Sequence, residues 1–83
     1  VWQIGVKLAE KGFLEEAKEI AMNLIGKNEY GGAWKIGVKL AEKGSAKEAK
    51  EIAMNLIKKN EFHRVWEIGV KLAEKGYKEV KGS

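Results

Sequence analysis

The sequence repeats itself every 32 residues, and this period constrains the fold more than any other feature. Tryptophan occurs at Trp2, Trp34 and Trp66, and the segment IGVKLAEKG recurs at 4–12, 36–44 and 68–76. Residues 1–32 and 33–64 differ at only nine positions. A fixed period of about 20–50 residues indicates stacked units that share one continuous core. We therefore predict a single domain over 1–83, with repeat 1 at 1–32, repeat 2 at 33–64, a partial repeat 3 at 65–76 and a tail at 77–83.

Each unit carries the apolar spacing of two helices, called helix A and helix B below. The stripe predicted for helix B in the second unit consists of Ala49, Ile52, Ala53, Leu56 and Ile57. These residues fall at i, i+3, i+4, i+7 and i+8, as in an amphipathic helix. Helix A has a similar stripe, and Trp34 and Val38 make a second side apolar, as expected between two neighbouring layers. The prediction is an all-α fold of antiparallel helix hairpins, stacked as a short α-solenoid of about five helices.

Glycine marks two kinds of position in the predicted helices. Gly44 stands where helix A should end in a left-handed residue, and Ser45 with Glu48 predicts a capping box for helix B. Gly5 and its repeats Gly37 and Gly69 lie inside helix A, where glycine costs about 0.8–1 kcal/mol relative to alanine. We expect a neighbouring helix to approach closely there and to offset this cost.

The spacing of Ile36-Gly37, Leu40, Gly44, Glu48-Ala49, Ala53 and Leu56-Ile57 resembles the tetratricopeptide repeat signature. The period is 32 where that family has about 34. The tryptophan lies three residues before the glycine instead of four, and the proline that closes each family repeat is missing. The near identity of the units is typical of an engineered repeat protein, and a natural array with recent internal duplication is the alternative.

This resemblance implies a concave groove on the A helices that holds an extended peptide or a partner's helix. The groove residues that it implies are Trp2, Val6, Glu10, Trp34, Val38, Glu42, Trp66, Val70 and Glu74. Tryptophan is enriched at binding hot spots because it buries a large rigid area. The alternative interpretation places the tryptophans in the core between repeats.

A second candidate surface follows from the places where the units differ or end. The first unit has apolar or aromatic residues at turn positions, and no helix B is predicted after the third helix A. A contact with another protein, including a second copy of the chain, would cover such residues; the alternative at the third helix A is that the tail folds back over it with Tyr77 and Val80. The candidate interface residues are Phe13, Leu14, Tyr30, Val65, Ile68, Leu72 and Tyr77.

The residue types of catalytic and metal sites are sparse. The chain has no cysteine, and its single histidine, His63, is predicted in a linker beside Arg64. GVKLAEKG lacks the Gly-Lys-Ser/Thr ending of a phosphate-binding loop. We therefore expect no enzyme, no cofactor and no bound metal. The longest apolar runs fall far short of the roughly 18 residues of a membrane-spanning helix, and no signal peptide is recognisable, so a soluble protein without a membrane partner is expected.

The predicted function is a non-catalytic helical-repeat scaffold for protein–protein interaction or self-assembly. One alternative is a basic nucleic-acid-binding repeat similar to pentatricopeptide proteins, since the net charge is +4 and Lys7, Lys39 and Lys71 recur beside the tryptophans. Glutamates between these lysines make nucleic acid the less favoured partner. The other alternative is a groove for a small ligand or peptide, lined by the tryptophans.

Overall fold

The computed structural model describes residues 1–75, which form five α-helices and no β-strand. The helices are α1 (Trp2–Glu10), α2 (Leu14–Gly26), α3 (Tyr30–Glu42), α4 (Ala46–Lys58) and α5 (Phe62–Glu74). Helices α1, α3 and α5 are the three A helices, and α2 and α4 are the two B helices. The predicted all-α fold with five helices is confirmed.

The helices stack in two layers. In the A layer α1 contacts α3 and α3 contacts α5, while α2 contacts α4 in the B layer. Helices α3 and α5 also pack on the helix B before them, α3 on α2 and α5 on α4. Among these five described helices, no contact joins α1 to α5, so each unit touches only its neighbours, as in a solenoid.

The core is concentrated in the middle unit, which has a neighbour on both sides. The largest side chains that are fully buried are Ile36, Leu40, Ile52, Leu56 and Ile68. Alanines fill the narrow gaps between the layers; Ala9, Ala17, Ala41 and Ala49, for example, are fully buried. Small and branched residues alternate at the same positions of each unit, so one packing arrangement serves the whole chain.

Left-handed residues end the helices within and between hairpins. Gly12 and Gly44 have φ angles of 91° and 81°, and Asn28 and Asn60 have φ angles of 63° and 64°. After Gly44, the N–H of Ser45 donates to the carbonyl oxygen of Leu40 at 2.9 Å, which satisfies a carbonyl of the last helical turn. The prediction that Gly44 ends helix A is confirmed.

The predicted capping box at Ser45 is wrong. Ser45 is the N-cap residue of α4, but its side chain makes no capping hydrogen bond. The residue is buried, and its backbone N–H closes the end of α3. The backbone of this turn therefore holds the hairpin without help from the hydroxyl group.

This arrangement predicts a small effect for Ser45→Ala. A serine that caps a helix contributes about 1 kcal/mol, whereas we expect this substitution to change the free energy of unfolding by less than ~0.5 kcal/mol. Urea denaturation followed by circular dichroism measures the change. A loss of ~1 kcal/mol or more would show that the hydroxyl caps α4 in solution.

In the second and third units, helix A begins before the predicted unit boundaries at residues 33 and 65. Helix α3 starts at Tyr30, and α5 starts at Phe62. The prediction that His63 lies in a linker is therefore wrong, because it belongs to the first turn of α5. Gly32, in the first turn of α3, gives room to a neighbour: a Cβ atom there would lie 2.9 Å from the Cβ of Trp2.

Candidate interaction surfaces

Successive A helices meet where an isoleucine covers a glycine. Ile36 of α3 lies over Gly5 of α1, where an added Cβ atom would clash with Ile36 Cδ1 and lie 2.9 Å from Ile36 Cγ1. Ile68 of α5 covers Gly37 in the same way, with Cδ1 at 2.7 Å from the position of such a Cβ. The expected close approach of a neighbouring helix is confirmed at both glycines.

The same positions are uncovered at the two ends of the stack. Ile4, one repeat before Ile36, is 59% exposed. Gly69, one repeat after Gly37, is exposed, and an added Cβ atom would meet no atom of residues 1–75 within 4 Å. The expected neighbouring helix is therefore missing at Gly69 among residues 1–75.

Each of these positions belongs to an apolar stripe along its helix. The Ile4 face of α1 consists of Val1, Ile4 and Leu8, of which Val1 is 75% exposed and Leu8 is half-buried. The Gly69 face of α5 consists of Phe62, Trp66, Gly69 and Ala73, all of them exposed, with Phe62 at 58% and Trp66 at 75%. Both faces present large apolar side chains to solvent.

The predicted interface on α5 was assigned to the wrong side of the helix. Ile68 and Leu72 are buried, because they occupy the positions of Ile36 and Leu40 and face the preceding unit. Val65 is half-buried and packs against the same core. These three side chains are already used inside the chain. In the sequence, Gly69 marks the exposed side of α5, because the isoleucine that would cover it belongs to a further unit.

The predicted interface residues of the first unit have different environments. Phe13 is exposed at the N-cap position of α2, whereas Leu14 is half-buried and packs against the core. The hydroxyl group of Tyr30 donates to Oδ1 of Asn28 at 2.7 Å, which holds its ring over the turn. Phe13 alone of these three presents most of its ring to solvent. Tyr77 and the rest of the tail lie outside the described residues.

The three tryptophans of the predicted groove differ in their exposure to solvent. Trp2 and Trp34 are half-buried against the core, and only Trp66 is largely exposed. The ammonium group of Lys35 lies 5.2 Å from the ring centre of Trp2 and 5.0 Å from that of Trp34, within cation–π range. The guanidinium group of Arg64 lies 5.7 Å from the Trp34 ring. Val6, Val38 and Val70, predicted beside them, are half-buried.

A row of alternating charges, the charge ladder, runs along the A helices. It consists of Lys7, Glu10, Lys39, Glu42, Lys71 and Glu74. Two of its ion pairs cross between units: Lys39 Nζ lies 3.6 Å from Glu10 Oε2, and Lys71 Nζ lies 3.7 Å from Glu42 Oε2. The hydrogen bond to Glu42, together with the charges of Glu42 and Glu10, raises the pKa of Lys39. The glutamates of the predicted groove thus balance its lysines.

One ion pair joins the two B helices. Lys18 Nζ of α2 lies 2.7 Å from Glu51 Oε1 of α4 and 3.0 Å from Glu15 Oε2 of its own helix. The hydrogen bond to Glu51, followed by that to Glu15, raises the pKa of Lys18. The same hydrogen bond from Lys18 lowers the pKa of Glu51.

The lowered pKa of Glu51 predicts a pH-dependent contribution to stability. The contribution is present above the ordinary pKa of a glutamate, about 4.5, and is lost as the pH falls through the lower pKa of Glu51 in the folded chain. We therefore expect Glu51→Gln to unfold at lower urea concentration than the wild type at neutral pH, and the difference to shrink as the pH falls through the lowered pKa of Glu51. Glu19→Gln, which removes an equal charge from an exposed site on α2, is the control. An unchanged difference at acid pH would contradict the prediction.

Comparison with protein-family models, with curated proteins and with solved structures finds no match to this chain. None of the helices within residues 1–75 is long and apolar enough to cross a membrane. Over the same residues, no three His, Cys, Asp or Glu side chains are grouped so that they could hold a metal ion. What the chain binds must be inferred from its own surfaces.

Proposed function

We propose that this chain is a non-catalytic helical-repeat scaffold that works through protein–protein contacts, and that these contacts include its own assembly. The observation that carries the proposal is the pair of exposed apolar faces at the two ends of the stack. Val1 and Ile4 lie on one of these faces, and Phe62 and Trp66 lie on the other. Contiguous exposed apolar side chains are typical of interaction sites.

The internal packing supports this proposal. Ile36 and Leu40 occupy the same repeat positions as Ile4 and Leu8. Both are buried, because a unit precedes them. Removing such side chains from water contributes about 1.5–3 kcal/mol each when burial is complete. The end faces therefore carry the same residues that hold the units of the chain together.

The test is the solution mass of the 83-residue chain, measured by light scattering over a concentration series. We expect the mass to rise above the monomer value of 9.3 kDa as the concentration increases. Met54→Glu is a control that should give the same mass as the wild type, because Met54 is an exposed apolar residue of α4 that belongs to neither end face. A mass of 9.3 kDa at every concentration up to about 1 mM, the weak end of specific affinity, would overturn self-assembly.

Nucleic-acid binding is a second candidate, favoured by the cations that lie beside the tryptophan rings. Lys35 and Arg64 both approach the ring of Trp34, and binding sites for single-stranded nucleic acid combine aromatic rings with cationic side chains. The charge ladder weighs against it, because glutamates neutralise the lysines on the same helices. Retention on heparin that falls steeply with salt would favour this candidate, and elution at low salt would exclude it.

A further inference from the structure

We infer that a second copy of this chain docks head to tail, with its Ile4 seated over Gly69 of the first copy. The inference rests on the proposed function, since it specifies which faces meet when the chain assembles. It assigns a single geometry to the contact: the Ile4 face of one copy covers the Gly69 face of another.

The internal interfaces provide the template. Ile36 covers Gly5 and Ile68 covers Gly37, each pair being formed by neighbouring A helices. Ile4 and Gly69 occupy the same repeat positions, and within residues 1–75 each lacks its counterpart. Joining α1 of one copy to α5 of another would extend this series by one step without any new type of contact.

The residues around this pair follow the same rule. Leu40 is buried by the unit that precedes it, whereas Leu8, at the same repeat position, is only half-buried. Ala9 and Ala41 are fully buried where a helix B and a further helix A follow, whereas Ala73 of α5 is exposed. Each end face thus consists of residues that are buried at an internal interface and uncovered at the end.

The charge ladder sets the direction of docking. Inside the chain, the lysine of one unit pairs with the glutamate of the unit before it, as in Lys39–Glu10 and Lys71–Glu42. The next pair in this series would join Lys7 of the incoming copy to Glu74. A symmetric contact would join two Ile4 faces or two Gly69 faces, and the pair between Lys7 and Glu74 could not form in it.

The contact between copies is smaller than the interfaces within the chain. Internally, α3 packs on both α1 and α2, and α5 packs on both α3 and α4. At a junction, the described residues supply α5 alone as the platform for the incoming α1. We therefore expect association that depends on concentration. Because the two faces differ, the contact leaves a free face at each end, and copies add in a row.

The test uses two variants that each block one face. Ile4→Glu places a charge on the Ile4 face, and Gly69→Glu adds a charged side chain at a position where no residue of 1–75 would meet its Cβ, so neither should disturb the packing of the five helices. Each variant alone should lose assembly, with association weakened by about 100-fold or more. Mixed in equal amounts, they should form a one-to-one complex of twice the 9.3 kDa monomer mass, because each retains the face that the other has lost.

Other outcomes separate the inference from the proposed function. Assembly of the wild type with no complex in the mixture would overturn head-to-tail docking and leave self-assembly intact. Loss of assembly in only one of the two variants would also overturn head-to-tail docking, because a symmetric contact uses one face twice. A wild type that stays monomeric overturns both. Met54→Glu should assemble as the wild type does, and its failure to do so would place the contact elsewhere.

Discussion

Ile36→Ala is expected to lower the free energy of unfolding by about 2–5 kcal/mol, the range for removing a buried isoleucine. The side chain is fully buried and fills the space over Gly5. Alanine would leave a cavity between two backbones that already approach closely. A small domain is stable by only about 5–15 kcal/mol, so this loss is a large fraction of the total.

Ile4→Ala is the matched control for this prediction. The residue and repeat position are the same, but Ile4 is mostly exposed, so we expect a change below ~0.5 kcal/mol in the monomer. Urea denaturation at a concentration where the mass is that of the monomer measures both variants. Equal effects at the two positions would mean that α1 is covered in solution or that α3 is not packed as described.

Gly5→Ala should destabilise the chain by up to about 2 kcal/mol, although alanine is the better helix former. An added methyl group would clash with Ile36 and lie 3.4 Å from Ile20 Cγ2, so either the buried Ile36 side chain must leave its rotamer or α1 and α3 must separate. Overpacking of this kind costs about 1–3 kcal/mol, which outweighs the gain of about 0.8–1 kcal/mol in helix propensity. The space between the helices therefore decides the sign of the effect.

Gly69→Ala should have the opposite effect, because none of the described residues lies within 4 Å of the added methyl group. We expect the monomer to gain about 0.5–1 kcal/mol from the removal of a glycine within the helix. Thermal unfolding of both variants and the wild type, again at monomeric concentration, gives the comparison. A gain at both positions would show that the helices do not approach closely at Gly5.

Much of the fold could be predicted because the repeat constrains it. A period of 32 residues with two amphipathic stripes leaves room for two helices and two short turns, and Gly44 marks one of the turns. The start of helix A was harder to predict. Gly31 and Gly32 are poor helix formers, yet α3 begins at Tyr30, the repeat position at which α5 begins, and Gly32 lies close against Trp2.

The candidate surfaces were only partly predictable because helix A is apolar on two sides. The sequence does not say which side faces the preceding unit and which faces the following one. Ile68 and Leu72 were therefore assigned to an open edge, although they pack inward. Burial at equivalent positions of the central unit resolves the two sides, and this requires the three-dimensional stack. Trp34 shows the same ambiguity, since its ring is half in the core and half beside Lys35 and Arg64.

The lack of contact between the described helices α1 and α5 affects how the chain comes apart. Stability in such a stack is a sum of local terms and nearest-neighbour couplings, so the terminal helices can fray while the middle stays folded. Helix α3 packs against each of the other four described helices, so its amide protons should exchange with solvent most slowly. Those of α1 should exchange sooner. A copy docked on α1 would slow that exchange, and opening of the end helix would then report directly on assembly.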